Sequence, residues 1–598
     1  MPVSGPRCIV TQEISPPCVV VTGTGLAVEA KPGDTLLSCL RRAGLGVEST
    51  CNGRGACGKC KVIVHGALSP PDEKEREHLT GVSCEVRLAC MAKVMGKVEV
   101  TLDDAWTQLK TIYGVEERTV EPRSLVKRTA LPALQSNSPR PYEEGLFART
   151  MGPHVLNKIA SWDWGRGRCS GIVFGEELLD IVPESTPLLG SAVDVGTTSV
   201  SLCVYNLETG ELLGRASALN PQTAYGGDVI TRIAYCRQEP RGLITLRETL
   251  TAKLAEMMDS ALGSQYNREQ VYLVTIAANT TMLHILAGVQ PLSLATSPFR
   301  PIFLKPLILT GDQSGLPMYP GGRAIFLPSV SAYIGADIVA GLAAIDCRSR
   351  SRNTLFLDMG TNGEIVLIQE PDRMVAASCA MGPALEGMNI SCGCRAVPGA
   401  IDSFALDGNH TPHFTTIGDL PPLGICGSGL IDVVASLLEA RIILPGGAYN
   451  QDADTPLRDS MKGNRYHLSD NVFLSQHDIR QLQLAKGAAI AGILLLLEES
   501  GMTTRDIEEI ILAGAFGYHV NLESLKRIGL LPHDYCGPVR FVGNSSLTGA
   551  SFALLNEDAM AEVEAIPSRV RVLELSSHPR FSGTFVDNLL FPEHQPLA

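Results

Sequence analysis

Cys51, Cys57 and Cys60 crowd one short loop, and Cys90 follows after a gap of twenty-nine residues. Three close thiolates on a glycine-rich loop plus one distant thiolate is a ligand set for a 2Fe–2S cluster. Gly53, Gly55 and Gly58 lie between them, where positive φ turns backbone N–H groups toward sulfur. Four thiolates also suit structural zinc, but zinc sites pair two close doublets, and here three thiolates share one loop. Cys84, six residues before Cys90, reads as a spare core thiol, with replacement of Cys90 as the alternative. Cys392 and Cys394, with Cys379 and Cys426, raise a second metal site, although their spacing fits no cluster loop and buried free thiols are common.

A second chemistry is carried by carboxylates. Ser191–Val195 is an apolar run ending around Asp194, turning at Gly196-Thr197-Thr198 and returning as Ser199–Tyr205. Thr354–Asp358 repeats the layout, with Gly360-Thr361-Asn362-Gly363 as the turn and Glu364–Ile368 as the return. Short glycine turns let N–H groups and threonine hydroxyls reach phosphate oxygens. An Asp at each strand end organises Mg²⁺, usually through its waters. A third element, Ile511-Leu512-Ala513 into Gly514-Ala515-Phe516-Gly517, suits close approach by an adenosine. No Gly-x-x-x-x-Gly-Lys-Ser/Thr occurs, which excludes a P-loop.

Weaker candidates surround these. Gly427-Ser428-Gly429 opens a helix whose N-terminus can receive phosphate, or is only a tight helix start. Asn279 reads as a helix cap. Glu386, in Gly382–Gly387, is a candidate water-positioning base or a solvated turn residue. Lys486 is a candidate ribose contact or a snorkelling lysine.

The elements that must position these groups are partly legible. Cys18–Lys31 reads as a hairpin, Asp34 as the cap of a helix over Thr35–Ala43, and Lys61–His65 and Lys97–Leu102 as strands. The charged run Asp72–Glu77 reads as a solvated helix. Prolines and serines from Pro122 to Pro141 mark a linker, read as a hinge, and 145–187 is a faint small piece. Ala488–Leu497 is an apolar run too short to span a bilayer, which takes about 20 residues. The domain reading is 1–17 tail, 18–103 iron–sulfur domain, 104–144 linker, 145–189 middle domain, and 190–350 and 351–598 as two halves of a nucleotide-binding module. Net charge is −13, which gives a nucleic-acid role no electrostatic support. Seventeen cysteines without a signal peptide point to a reducing cytoplasm, with no membrane partner.

Hairpin, helix, cluster loop and closing strands resemble the β-grasp fold of 2Fe–2S ferredoxins, and the gap of five between Cys51 and Cys57 resembles the adrenodoxin-like branch. The two Asp–Gly–Thr hairpins with Ala513–Gly517 resemble the superfamily of acetate and sugar kinases, Hsp70 and actin. Their resemblance implies two RNase-H-like halves closing on ATP, so the fold class is multidomain α/β and α+β. The whole combination resembles the reductive activators of corrinoid proteins. Cys51–Cys60, Arg87–Cys90, Ala192–Thr198, Asn220–Val229, Asp358–Glu364, Gly382–Gly387, Gly424–Asp432, Leu512–Gly517 and Gly543–Ala550 carry it. Asn52 stands where relatives usually carry Gly.

The resemblance implies that an inactive Co(II) corrinoid protein of a methyltransferase system is returned to Co(I). It also implies a 2Fe–2S cluster, ATP and Mg²⁺ as cofactors, with a ferredoxin or flavoprotein as low-potential donor. A homodimer is an alternative to a monomer. A plant-type cluster lies near −400 mV, and lifting one electron by ~100 mV costs about 2.3 kcal/mol, within the reach of ATP. Two other classes compete: an activator of a radical dehydratase, and a small-molecule kinase with a redox-sensing cluster.

Overall fold

The computed structural model describes residues 17–22, 26–31, 33–43, 47, 53, 55, 58, 60–79, 85–101, 120–131, 150–162, 169–349, 353–360, 362–407, 410–452, 460–514 and 520–593. Two compact units result, one of Met1–Trp106 with Pro221–Arg232, the other of Thr107–Asn220 with Ile233–Ala598.

In the first unit, Cys18–Val21 (β1), Ala27–Glu29 (β2), Lys61–Leu68 (β3), Val86–Leu88 (β4) and Val94–Thr101 (β5) form one sheet in the order β2-β1-β5-β3-β4. β1 runs parallel to β5, with Val19 opposite Val98, while β3 is antiparallel to β5. Alternate residues Val19, Val21, Val62, Val64, Val98 and Val100 face a core closed by the helix Leu36–Arg42. This is the expected β-grasp arrangement. Two details differ from expectation. Thr35, not Asp34, caps the helix, accepting from the Ser38 N–H at 3.2 Å, because Asp34 is occupied by Arg42 at 2.8 Å. The Glu73–His78 helix is not wholly solvated: Glu75 is buried against Arg87.

In the second unit, Val126–Ala130 (β6), Thr150–Met151 (β7), Cys169–Phe174 (β8) and Glu177–Pro183 (β9) build a sheet in the order β6-β8-β9-β7, backed by the helix Pro153–Ser161. β6 lies inside the stretch read as a linker. Ser124, among its prolines and serines, is buried and bonded to Leu554 O, so this part of the stretch is packed structure.

The two halves share one topology. Leu189–Val195 (β10), Ser199–Asn206 (β11) and Leu212–Leu219 (β12) form an antiparallel meander. Val271–Ala278 (β13) adds parallel to β10, then Leu307–Thr310 (β14) and Arg323–Phe326 (β15) complete the order β12-β11-β10-β13-β15-β14. Thr354–Met359 (β16), Gly363–Glu370 (β17) and Arg373–Cys379 (β18) repeat the meander. An insertion follows, with Ala400–Leu406 (β19), Pro412–Thr416 (β20) and Gly424–Ile425 (β21) in one small sheet and Arg465–His467 (β22) paired with Phe473–Ser475 (β23). Glu509–Ala513 (β24), Val539–Gly543 (β25) and Val570–Val572 (β26) then give β25-β24-β16-β17-β18-β26. Both halves therefore have the meander-plus-parallel-strand order of RNase-H-like folds.

The helix Gln476–Glu499 contains the apolar run around Ala488–Leu497. It is long and apolar enough to cross a membrane, yet 78% of its most apolar window is buried inside the fold.

Candidate functional site

In the iron–sulfur domain, β3 begins directly after Cys60 and β4 ends two residues before Cys90. The Ala89 N–H donates to Cys60 O at 2.7 Å, and the Cys90 N–H donates to Cys60 Sγ at 3.4 Å. Both thiols are buried. Gly53, Gly55 and Gly58 all take positive φ, at 79°, 66° and 65°. A Cβ on Gly53 would lie against Leu37 and Cys90. Two converging buried thiols, an N–H aimed at sulfur and glycines bent as the loop requires fit a thiolate-held cluster. Cys51, Cys57, Asn52 and Cys84 lie outside the described residues. The approach to Cys90 is held by a buried ion pair: Arg87 donates to both Glu75 oxygens at 2.8 and 2.9 Å, and the Leu88 N–H adds a bond of 2.9 Å.

The nucleotide candidates converge where the ends of β10 and β16 meet. Asp194 stands one residue before the end of β10, opposite Ala277 of β13; Asp358 stands one residue before the end of β16, opposite Ala513 of β24. Each alanine leaves room beside its carboxylate. Both Asp194 oxygens are engaged, Oδ2 by Asn544 Nδ2 and Oδ1 by Ser546 Oγ, each at 2.8 Å. Gly514 takes φ +94°, and a Cβ there would sit 2.8 Å from Asp358 Oδ1. The Gly196 turn is braced by Asn220, which donates to its carbonyl at 2.8 Å. Asn279 caps the helix Thr280–Ala287 and donates to Thr197 Oγ1 at 3.1 Å. Thr198 Oγ1 donates to Glu386 Oε2 at 2.7 Å, so the first turn meets the Pro383–Glu386 segment of the other half. Gly360 faces Glu386 Oε1, and its N–H donates to Asn362 O at 2.9 Å. Gly363 packs on Met381, where a Cβ would fall 2.1 Å from sulfur.

Two carboxylates join this group that sequence reading gave no role. Asp337 stands near the start of the helix Ala336–Ala344, and Glu364 is the register partner of Asp358 on β17. Burial and the Asp194 charge push Asp358 up to about 7. Burial, then the charges of Asp358 and Asp194, push Asp337 up to about 7. Glu364 is raised well above the ordinary range by burial, Asp337 and Asp358. Burial also raises Asp194, with Asn544 and Ser546 opposing. Facing carboxylates in a desolvated place create a strong demand for a cation. Among the described residues no three His, Cys, Asp or Glu side chains converge closely enough to grip a metal directly.

Other candidates are placed elsewhere or left outside. Ser428 Oγ donates to Asp402 O at 2.8 Å, and a Cβ on Gly429 would lie 2.2 Å from Ile401 O, so Gly427-Ser428-Gly429 is a helix start wedged on β19. Lys486 donates to Leu590 O and lies over the Phe591 ring, a buried position among C-terminal residues. Burial pulls it down to about 8. Thr361, Ala515, Phe516 and Gly517 lie outside the described residues.

Comparison with known proteins covers nearly the whole chain. The 2Fe–2S iron–sulfur cluster binding domain family matches residues 19–95, the middle region of RACo matches 189–350, and the C-terminal domain of RACo, the ASKHA domain, matches 352–597. The corrinoid activation enzyme RamQ of Eubacterium limosum is 31% identical over 585 residues, 92% of this chain and 95% of that protein. This chain belongs to the family of reductive activators of corrinoid proteins. A solved structure, the reductive activator for corrinoid, iron–sulfur protein, superposes with TM-score 0.71 at 28% identity, covering 96% of this chain and 98% of that one. The Co(II) methylated amine-specific corrinoid protein reductase of Methanosarcina barkeri is 28% identical over 292 residues, 44% of this chain and 51% of that protein.

In this activator the additional cysteines are local. Cys379 Sγ donates to Gly363 O, Cys392 Sγ to Asn471 O and Cys426 Sγ to Ile401 O. Among the described residues they form no metal-holding group. Asn544 and Ser546 stand within Gly543–Ala550, a stretch that resembles the activators in sequence without disclosing a role. Asn–Ser–Ser before an apolar helix is a capping signal, and the same asparagine serves both cap and carboxylate.

Proposed function

We propose that this chain is an ATP-dependent reductive activator that passes one electron to the Co(II) corrinoid protein of a methyltransferase system, giving Co(I). The observation that carries the reading is the union, in one chain alike to a corrinoid activation enzyme over 92% of its length, of a thiolate loop and paired carboxylate hairpins.

When bound, a 2Fe–2S cluster supplies one low-potential electron, and ATP with Mg²⁺ supplies the free energy that makes an uphill transfer possible. Cys51, Cys57, Cys60 and Cys90 would hold the cluster, and the Cys90 N–H would stabilise the Cys60 thiolate. Asp194 and Asp358, with Asp337 and Glu364 nearby, are the residues that would hold Mg²⁺, and it would neutralise their facing charges and those of phosphate. Gly196, Thr197, Thr198, Gly360, Thr361, Asn362 and Gly363 offer N–H and hydroxyl donors to phosphate. Gly514–Gly517 would flank the nucleotide, and Glu386, held by Thr198, would orient the attacking water. Lys486 keeps the C-terminal segment seated beside the nucleotide half. The electron reaches the chain from a low-potential ferredoxin or flavoprotein in the cytoplasm, to a monomer or homodimer.

The test mixes purified protein, a low-potential donor and Co(II) corrinoid protein, with and without ATP, and follows Co(I) by absorbance. Co(I) appearing only with ATP supports the reading, and equal reduction without ATP overturns it. Two further measurements separate the competing classes. Labelled γ-phosphate on an acceptor other than water marks a kinase. Iron well beyond one 2Fe–2S cluster per chain marks a dehydratase activator.

A further inference from the structure

The helix Ser545–Leu555 has an end at each of two places whose chemistry differs. At its start, one amide group does two jobs: Asn544 Oδ1 caps the helix, accepting from the Leu547 N–H at 2.8 Å, while Asn544 Nδ2 holds Asp194 at 2.8 Å. Ser546, in the first turn, holds the other Asp194 oxygen. Any change in what Asp194 must bind therefore acts on the helix cap itself.

At its far end, about 16 Å away by helix rise, the helix meets residues 121–124. Ser124 Oγ donates to Leu554 O at 2.9 Å, the Arg123 N–H to Leu555 O at 2.8 Å, and Asn556 Nδ2 to Glu121 O at 2.8 Å. The Glu557 N–H returns a bond to Arg123 O at 2.9 Å. Lys127 pairs with Glu557 at 2.7 Å, and Arg123 pairs with Asp558. Ser124 and Asn556 are both buried. In chain order, residues 121–124 come between the iron–sulfur domain and β6.

The helix is built as a stiff body between these ends. Ten of its eleven residues are buried. Gly549 packs on the Ala336–Ala344 helix so closely that a Cβ would lie 1.9 Å from Ala340 O, and a Cβ on Gly341 would lie 2.9 Å from Ser545 Oγ. That second helix carries Asp337, so two helices packed backbone to backbone start at the same carboxylates. Interfaces of this kind shift as units, by small sliding of one helix past another.

We propose that the Ser545–Leu555 helix couples occupancy of the nucleotide site at Asp194 to residues 121–124, the segment through which the chain arrives from the iron–sulfur domain. Asn544 and Ser546 are the positioning residues at one end, and Ser124 and Asn556 are the readout at the other. The inference rests on the ATP part of the function proposed above.

The test is amide hydrogen exchange on the full chain, with and without Mg·ATP, alongside calorimetric measurement of nucleotide affinity. In the parent, exchange across 121–126 changes on adding Mg·ATP by about fivefold or more, the lower end of usual coupling between sites. In Ser124→Ala and in Asn556→Ala, nucleotide affinity is retained and the change at 121–126 is lost. Nucleotide binding by the parent with unchanged exchange at 121–126 overturns the coupling alone. A response of parental size in both variants also overturns it. No nucleotide binding overturns the coupling and the ATP-dependent function together. The parent arm stands without the variants should either fail to fold.

Discussion

At the residue scale, the buried carboxylates of the proposed nucleotide site are held in electrostatic tension. A carboxylate whose folded pKa lies above its unfolded value takes up protons on folding, so its contribution to stability falls as pH rises. For Asp358 this loss runs from the unfolded value of about 4 up to about 7. Asp358→Asn should therefore raise the melting temperature of nucleotide-free protein at pH 8, by about 2 °C or more, with a smaller gain at pH 5. The same variant should lose Mg·ATP binding, which calorimetry checks. His284 gives the opposite slope. Its Nδ1 meets Thr280 O at 2.7 Å, its Nε2 accepts the Ile302 N–H at 3.0 Å, and its ring stacks on Phe303. Burial pulls its pKa down, so the unfolded chain binds the proton first, and stability falls as pH drops below about 6.5. His284→Leu removes the partner of the buried Thr280 O and of the part-buried Ile302 N–H and should cost about 2 kcal/mol in a denaturant titration near pH 7.5. The variant should also lose that acid-side slope.

At the element scale, two close associations decide whether a site can form. The Glu75–Arg87 pair ties the Glu73–His78 helix to β4 just before Cys90. Glu75→Ala leaves a buried guanidinium unpaired and should cost about 3–5 kcal/mol. The measurable result is a lower melting temperature for the iron–sulfur domain and less iron per chain after purification. Gly549→Val should fail differently. Its branched side chain has no room at Ala340 O, and overpacking of this kind costs about 1–3 kcal/mol or more. Thermal melts should show the loss in the nucleotide halves, with the visible spectrum of the cluster unchanged. How much of these elements is readable in sequence depends on how far away their partners are. The strand–Asp–Gly–Thr hairpins are readable because turn and register partners are near in sequence, from Leu189 opposite Asn206 and Thr354 opposite Ile368 inward to the turns. Asp337, Asn544 and Ser546 are not, because Asn544 and Ser546 meet Asp194 across 350 and 352 positions. Asp34 resembled a cap until Arg42, one helix length on, claimed it. Glu75 reads as solvated because its run of charges hides partners twelve and thirteen positions later. β6 hides among prolines and serines, because the contacts that fix the stretch before it, Ser124 with Leu554 and Glu121 with Asn556, lie far along the chain.

At the scale of the whole molecule, the two nucleotide-binding halves are a duplication, and the second carries an insertion that the first lacks among the described residues. Both halves place an Asp one residue from the end of the first strand and an alanine opposite it on the parallel neighbour. That symmetry brings two carboxylates together where either half alone would offer one. The insertion carrying β19 to β23 belongs to the second half only, and the helix start at Gly427 is seated on it. Replacing both Asp194 and Asp358 by Asn should abolish Mg·ATP binding while iron content stays at the parent level. Iron analysis and calorimetry on one preparation check this.

The strand order of the iron–sulfur domain also has a consequence for biosynthesis. β5 is the middle strand of its sheet, flanked by β1 and β3, and it is the last of the five to be synthesised. Until residue 101 leaves the ribosome, β1 and β3 have no partner between them, and the sheet that buries Cys60 and Cys90 cannot close. During translation these thiols are exposed to oxidants and stray metals. The buried setting of Cys60 and Cys90 therefore exists only once the last strand has been made, so the order of synthesis leaves the completion of this pocket to the end of the domain.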